Sequence, residues 1–188
     1  MKRAIHPIEA ESYRILRSRI DLSHLPPLSR AVAERVIHAA ADVSFGASLV
    51  LDEAALARGR EALLAGAPIY CDARMAAAGI TSRAPVVPGS PPVEGMTRSA
   101  AAMRAAVAEA PPGAVWVVGN APTALAELVA RPPQAPALIV GLPVGFVGAA
   151  EAKAALAASG LPCVTNVGER GGSAVAVAAV NAMLYFEA

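Results

Sequence analysis

Arg35, His38 and Asp42 stand at i, i+3 and i+7, so on a helix they would share one face, with Val32, Val36 and Ala40 on another. An imidazole bracketed by a guanidinium and a carboxylate has a proton tunable near neutrality: the carboxylate favours imidazolium and the guanidinium opposes it. That is equipment for general acid–base work, and His38 is the histidine best placed for it, since His6 falls at a helix start and His24 in a proline-flanked loop. The same trio equally describes a solvated polar face. Ser12 is a second candidate. It falls on the stripe of Ile8, Ile15 and Leu16, where a hydroxyl either bonds a backbone carbonyl or meets a ligand.

Three apolar runs in the second half each end in a glycine-bearing loop that opens a helix. Ala114–Val118 leads into Gly119-Asn120-Ala121-Pro122-Thr123, Ala137–Val140 into Gly141 to Gly148, and Cys163–Asn166 into Val167 to Ser173. Loops of this kind present free backbone N–H groups at helix N-termini, so one composite edge for an anionic ligand is expected. Glycine is also what a tight strand-to-helix turn needs on its own account, but three such loops in succession point to a site. Familiar nucleotide signatures are missing. Gly168-Glu169-Arg170-Gly171-Gly172-Ser173 lacks the Lys-Ser/Thr pair of a phosphate loop, and glycines at 141, 145 and 148 do not space as G-x-G-x-x-G. There is no G-x-S-x-G elbow, no glycosidase-like carboxylate pair and no spacing that suggests a metal site.

These residues must be positioned by short apolar strands alternating with Ala-rich helices. That pattern describes an α/β fold: a three-layer open, mainly parallel sheet with helices on both faces, in a single domain over 1–188. Pro7 starts a helix to about Asp21. After the Pro26-Pro27 break, Ser29 caps a second helix to about Ala41, and Asp52 with Glu53 caps a third that stops near Gly66. Ile69-Tyr70-Cys71 is a short strand ending at Asp72, with a helical stretch through Ala78. Thr81 to Gly95 is proline-rich and irregular, and Thr97 caps a helix to Ala110. No internal repeat is present, and strand order is not legible.

Hydrophobic residues at 55% and charged residues at 16% argue against disorder, and a net charge of +1 against a broad nucleic-acid or membrane footprint. Of 16 basic residues only Lys2 and Lys153 are lysines. Arginine suits bidentate carboxylate recognition, although a GC-rich genome gives the same bias. Cys71 and Cys163 sit apart in apolar strand-like contexts, which fits free thiols in a reducing compartment. The run from Ser173 to Phe186 is too short to span a bilayer, and Met1–Pro7 leads into an amphipathic stretch without a signal-peptide core. A soluble, cytoplasmic protein is expected.

Several segments together resemble one family along nearly the whole chain, in order. They are Ile8-Glu9-x-x-Ser12, Arg35-Val36-Ile37-His38-x-x-Ala41-Asp42-x-x-Phe45, Asp72-x-x-Met75-x-x-x-Gly79-Ile80, Thr97-Arg98-Ser99, Gly119-Asn120-Ala121-Pro122-Thr123-Ala124-Leu125, Pro143-Val144-Gly145-Phe146-Val147-Gly148-Ala149 and Gly171-Gly172-Ser173. The family is precorrin-8X methylmutase, with its cobalt-precorrin-8 counterpart. The resemblance implies an isomerase of cobalamin biosynthesis that moves a methyl group from C11 to C12 of a tetrapyrrole, giving hydrogenobyrinic acid. The rearrangement is an intramolecular 1,5-sigmatropic shift, consumes no cofactor and needs no metal from the protein. It further implies a homodimer with sites near the interface, His38 as the catalytic histidine, and Ser12, Thr81 and Arg98 as substrate contacts. A ligand with several carboxylates around an apolar ring adds Gly119, Asn120, Gly145 and Ser173 as plausible lining.

The chain departs from the family between Ile80 and Thr97, where it is shorter, and at Ala152, which replaces the serine of a Glu-Ser-Lys segment. Two rival readings differ in class. One is a non-catalytic corrinoid-binding or hand-over protein; the other is a Rossmann-type oxidoreductase, which predicts nicotinamide binding.

Overall fold

The computed structural model describes residues 6–81 and 83–187, so the reading of Met1–Ile5 lies outside the described residues. In chain order the elements are α1 (Pro7–Arg19), α2 (Pro27–Ala40), α3 (Phe45–Ser48), β1 (Leu49–Val50), α4 (Glu53–Leu64), β2 (Ile69–Cys71), α5 (Arg74–Gly79) and α6 (Arg98–Glu109). They continue with β3 (Val115–Val118), α7 (Pro122–Ala130), β4 (Leu138–Gly141), α8 (Ala149–Ala158), β5 (Cys163–Asn166) and α9 (Ser173–Tyr185).

Strands β3 and β4 are buried end to end, as near-continuous Val/Ile/Leu runs must be when helices cover both faces. The order across the sheet is β1-β5-β4-β3-β2. Strands β2 to β5 are parallel, while β1 pairs antiparallel with β5 through Leu49–Asn166 and Val50–Thr165. The side-chain period of two divides the core. Val115, Val117, Leu138 and Val140 face a cluster shared with α2, α4, α5 and α9, whereas Trp116, Val118 and Ile139 face α6, α7 and α8. The expected three layers and mainly parallel sheet are therefore present. The Thr81–Gly95 segment is irregular apart from a bridge of Val86 to Tyr70 on the outer edge of β2.

Two helix starts follow the expected chemistry. Asp52 accepts from the N–H groups of Ala54 and Ala55 at α4, and Thr97 accepts from that of Ala100 at α6. Ser29 is not a cap. Helix α2 begins at Pro27, and its first-turn N–H groups are satisfied from α4: Leu28 and Ser29 donate to Glu53 at 2.9 and 2.7 Å, and the Ser29 hydroxyl donates at 2.6 Å. Burial pushes the Glu53 carboxyl up, but these donors outweigh it and hold it below the usual range.

Helix α1 also differs from its predicted stripe. Leu16 is buried, but Ile8 is 74% exposed and Ile15 lies at the surface. Polar contacts dock α1 on α2 instead: Arg17 grips Glu34 with two bonds at 2.8 and 2.7 Å, and Arg35 pairs with Glu9 at 3.5 Å.

The C-terminus of α2 changes the expected trio. The helix stops at Ala40, Ala41 turns left-handed at φ 51°, and the Asp42 N–H reaches back to the Ile37 carbonyl while that of Ala41 bonds His38. This is a Schellman end with alanine where glycine is favoured. Asp42 therefore leaves the helix face that carries Arg35 and His38. Ala41→Gly is expected to raise stability by about 1 kcal/mol, since a Cβ at positive φ costs about that much. A chemical-denaturation midpoint unchanged or lowered in the variant contradicts this.

Candidate active site

His38 occupies the last turn of α2, where α1 crosses it. The Ser12 hydroxyl lies 2.8 Å from His38 Nδ1, so what it meets on this face is the imidazole rather than a backbone carbonyl. Tyr13 stacks on the same ring, with centroids 4.9 Å apart and an interplanar angle of 11°, and Arg17 lies over Tyr13. Burial pushes the Tyr13 hydroxyl above its ordinary range, so it stays protonated. One ring nitrogen is thus engaged and one face covered, while Nε2 has no hydrogen-bond partner among the described residues and is the atom that can address a ligand.

One helical turn earlier, Arg35 lies over the Tyr185 ring at 5.9 Å and pairs with Glu9. The Tyr185 hydroxyl bonds Thr81 Oγ1, and the Thr81 N–H donates to Asn181 at 3.3 Å. The structure thereby connects Thr81 to the His38 helix through Tyr185 and Arg35. Arg98 lies in the other helical layer, exposed in the first turn of α6; there Thr97 Oγ1 meets Thr123 Oγ1 at 2.7 Å and links the starts of α6 and α7.

Asp42 does not touch His38. One of its oxygens accepts from the Ser44 N–H and hydroxyl at 2.9 and 2.7 Å, and the other pairs with Arg170 in the β5–α9 loop. The Ser44 donors, then Arg170, hold its carboxyl below the usual range.

The three glycine loops meet at the carboxyl edge of the sheet, but most of the expected N–H groups are already spoken for. Asp72, at the end of β2, accepts from Gly119 at 3.0 Å, Asn120 at 2.8 Å and Ala121 at 2.7 Å, so the chain's own carboxylate fills the N-terminus of α7. Burial pushes the Asp72 carboxyl above its usual range, against the pull of these donors. The Gly145 N–H donates to the Glu169 carbonyl at 3.1 Å and that of Gly172 to the Leu142 carbonyl at 2.8 Å. Close approach explains two of the glycines. A Cβ at Gly119 would sit 2.7 Å from the Ser173 Cα, and one at Gly171 would strike the carbonyls of Leu142 and Pro143. Ser173 itself is buried at the start of α9. Gly148 and Gly172 precede α8 and α9 at the N-cap positions and supply no side-chain cap, so the first turns of these helices keep the anion-binding character that α7 has lost.

Sequence reasoning passed over Tyr13, Asp72 and Lys153. Lys153 is fully buried, and its amine donates to Asn166 Oδ1 at 3.1 Å and to the Arg170 carbonyl at 2.6 Å. The signal was one of only two lysines in a chain whose other basic residues are arginines. Burial pulls its pKa down from 10.5 to about 8, against a smaller opposing pull from Glu169. The folded value lies below the unfolded one, so between them the unfolded chain holds the extra proton and stability rises with pH. From pH 7.5 to 9.5 wild type should gain roughly 2 kcal/mol relative to Lys153→Met. Parallel pH profiles of the two unfolding free energies would show that the amine titrates normally. Among the described residues no three His, Cys, Asp or Glu side chains gather as a metal site.

The arrangement defines a class: an α/β protein with a mainly parallel sheet, whose helix-borne histidine is held by a serine and whose helix end is tied through Asp42 and Arg170 to the loop after β5. Comparison with known proteins makes this particular. The precorrin-8X methylmutase family model matches residues 7–186. Precorrin-8X methylmutase of Pseudomonas aeruginosa is 45% identical over 194 residues, covering 94% of this chain and 93% of that protein. Cobalt-precorrin-8 methylmutase of Salmonella typhimurium is 40% identical, covering 95% and 93%. The crystal structure of precorrin-8X methyl mutase from Thermus thermophilus superposes with a TM-score of 0.84 at 37% identity, over 95% of this chain and 96% of that one. The chain belongs to the precorrin-8X methylmutase family, and with it to the isomerases of cobalamin biosynthesis.

Proposed function

We propose that this isomerase takes metal-free precorrin-8X and moves its C11 methyl group to C12, with His38 as the reacting side chain. The Ser12–His38 pair carries the reading: Ser12 donates to Nδ1, the imidazole proton sits on Nε2, and Nε2 hydrogen-bonds or protonates a ring nitrogen beside the migrating centre. The bond from C11 to the methyl carbon breaks as the bond to C12 forms. The proton lent by His38 returns, so the product is an isomer and no co-reactant is consumed.

Ser12, Thr81 and Arg98, with Gly119, Asn120, Gly145 and Ser173, line the ligand's surroundings in this reading. Arg98 and the uncapped first turns of α8 and α9 receive substrate carboxylates, while Gly119 and Asn120 contribute shape rather than N–H donors because Asp72 holds those. A homodimer with the site near its interface fits the exposure of Val144, Phe146 and Val147 in the β4–α8 loop, of which Phe146 is 91% exposed. A reducing cytoplasm fits the two free cysteines; burial, helped by Asp72, pushes the Cys71 thiol up to about 12. No helix among the described residues is long and apolar enough to cross a membrane.

A second reading, action on the cobalt-bearing substrate, is favoured by the similarity to the Salmonella protein. The test is anaerobic mixing of the purified protein with each tetrapyrrole, followed by visible absorbance. Conversion of the metal-free form supports the first reading, and conversion of the cobalt form alone supports the second. Binding of both without conversion would overturn both and leave a carrier.

A further inference from the structure

Lys153 is a fully buried amine for which the mechanism above has no use. Helix α8 projects it beneath the β5–α9 loop, where it shares the Arg170 carbonyl with Asn166 Nδ2, itself at 2.9 Å. Asn166 ends β5, so that carbonyl is gripped by two donors from rigid elements. The side chain of the same Arg170 pairs with Asp42, and Asp42 is bonded to Ser44 and, through its N–H, to Ile37. Between Asp42 and the helix lies Ala41 in its left-handed conformation, which persists only where the surroundings over-determine it.

We propose that Lys153 is a positioning residue for the isomerisation: through Arg170 and Asp42 it straps the C-terminal turn of α2, and with it His38, to the sheet. The inference rests on the reading of His38 as the reacting side chain. A displacement of about 1 Å at a reacting group costs rate rather than affinity. The weak link is the Arg170–Asp42 pair, whose side chains are 65% and 30% exposed, so the strap is salt-sensitive and its effect moderate.

The experiment measures kcat and KM over a range of tetrapyrrole concentrations up to saturation for wild type, His38→Ala, Lys153→Met, Asp42→Asn and the Lys153→Met/Asp42→Asn double variant. Lys153→Gln is made beside Lys153→Met, so that one folded variant suffices. Expected are a roughly three- to tenfold fall in kcat for either single variant, KM within about twofold, and no further fall in the double. About 0.5 M salt should lower the wild-type kcat towards that of Asp42→Asn and leave Asp42→Asn itself unchanged. An undiminished kcat in a folded Lys153 variant, or losses that multiply in the double, overturns the strap. Retention of activity by His38→Ala is a separate failure, that of the site reading.

Discussion

His38→Ala is expected to lower kcat by roughly 10²- to 10⁴-fold, the range that a positioned proton donor contributes, while leaving the fold intact. The ring is partly exposed and packs through one hydroxyl and one aromatic face, so its removal opens no core cavity. Ligand affinity should change little, because the carboxylates and the apolar ring are met elsewhere. Ser12→Ala makes the argument sharper. It leaves the imidazole in place but frees Nδ1, so tautomer and orientation are no longer fixed, and a fall on the order of tenfold is expected. Single-turnover absorbance with each variant separates binding from rearrangement. A His38→Ala protein that still converts its substrate at near wild-type rate removes the histidine from the chemistry; a Ser12→Ala protein with full activity removes only the tether.

The largest structural effect belongs to Asp72→Ala, expected to destabilise the protein by about 2–3 kcal/mol. Three backbone donors lose their acceptor together, and two of them, at Gly119 and Ala121, lie on buried residues where water is a poor substitute. Burial of the carboxylate offsets part of the gain, which keeps the figure below a simple sum of three charged bonds. Asp72→Asn should be about as costly as Ala. Its amide offers one acceptor oxygen and turns an NH₂ towards N–H groups that need an acceptor. Scanning calorimetry should show both variants melting roughly 5–10 °C lower. An Asn variant close to wild type would mean that the loop needs the shape of the side chain and not its second oxygen.

Much of the fold could be read from the residues. Strands β2 to β5 are apolar runs long enough to recognise, each stopped by an aspartate, glycine or asparagine, and proline and capping residues marked α1, α4 and α6. Strand β1 could not, because two residues after a short helix carry no period; only the antiparallel partner β5 makes Leu49–Val50 a strand. The end of α2 was placed within about a residue of where it falls, but alanine at the left-handed position gives no glycine signal, so Asp42 was counted on a helix face it has already left. Arg35 and His38, one turn apart, were legible as a local pair. The contacts that define their surroundings were not: Ser12 lies 26 residues from His38, and Asp72 lies 47 to 49 residues from the N–H groups it holds. Side chains at such separations meet only through topology. The family resemblance supplied Ser12 as a functional position, but not its bond to the ring.

The tight seating of Gly119 on Ser173, and of Gly171 under the carbonyls of Leu142 and Pro143, has a consequence for anyone who would re-engineer this edge. The loops after β3, β4 and β5 are not separate modules. Each occupies space that another leaves vacant, so a loop transplanted alone from a relative carries its own thickness into neighbours that have no room to yield. Variation here has to arrive as a matched set, and libraries that randomise one loop at a time will sample mostly collisions.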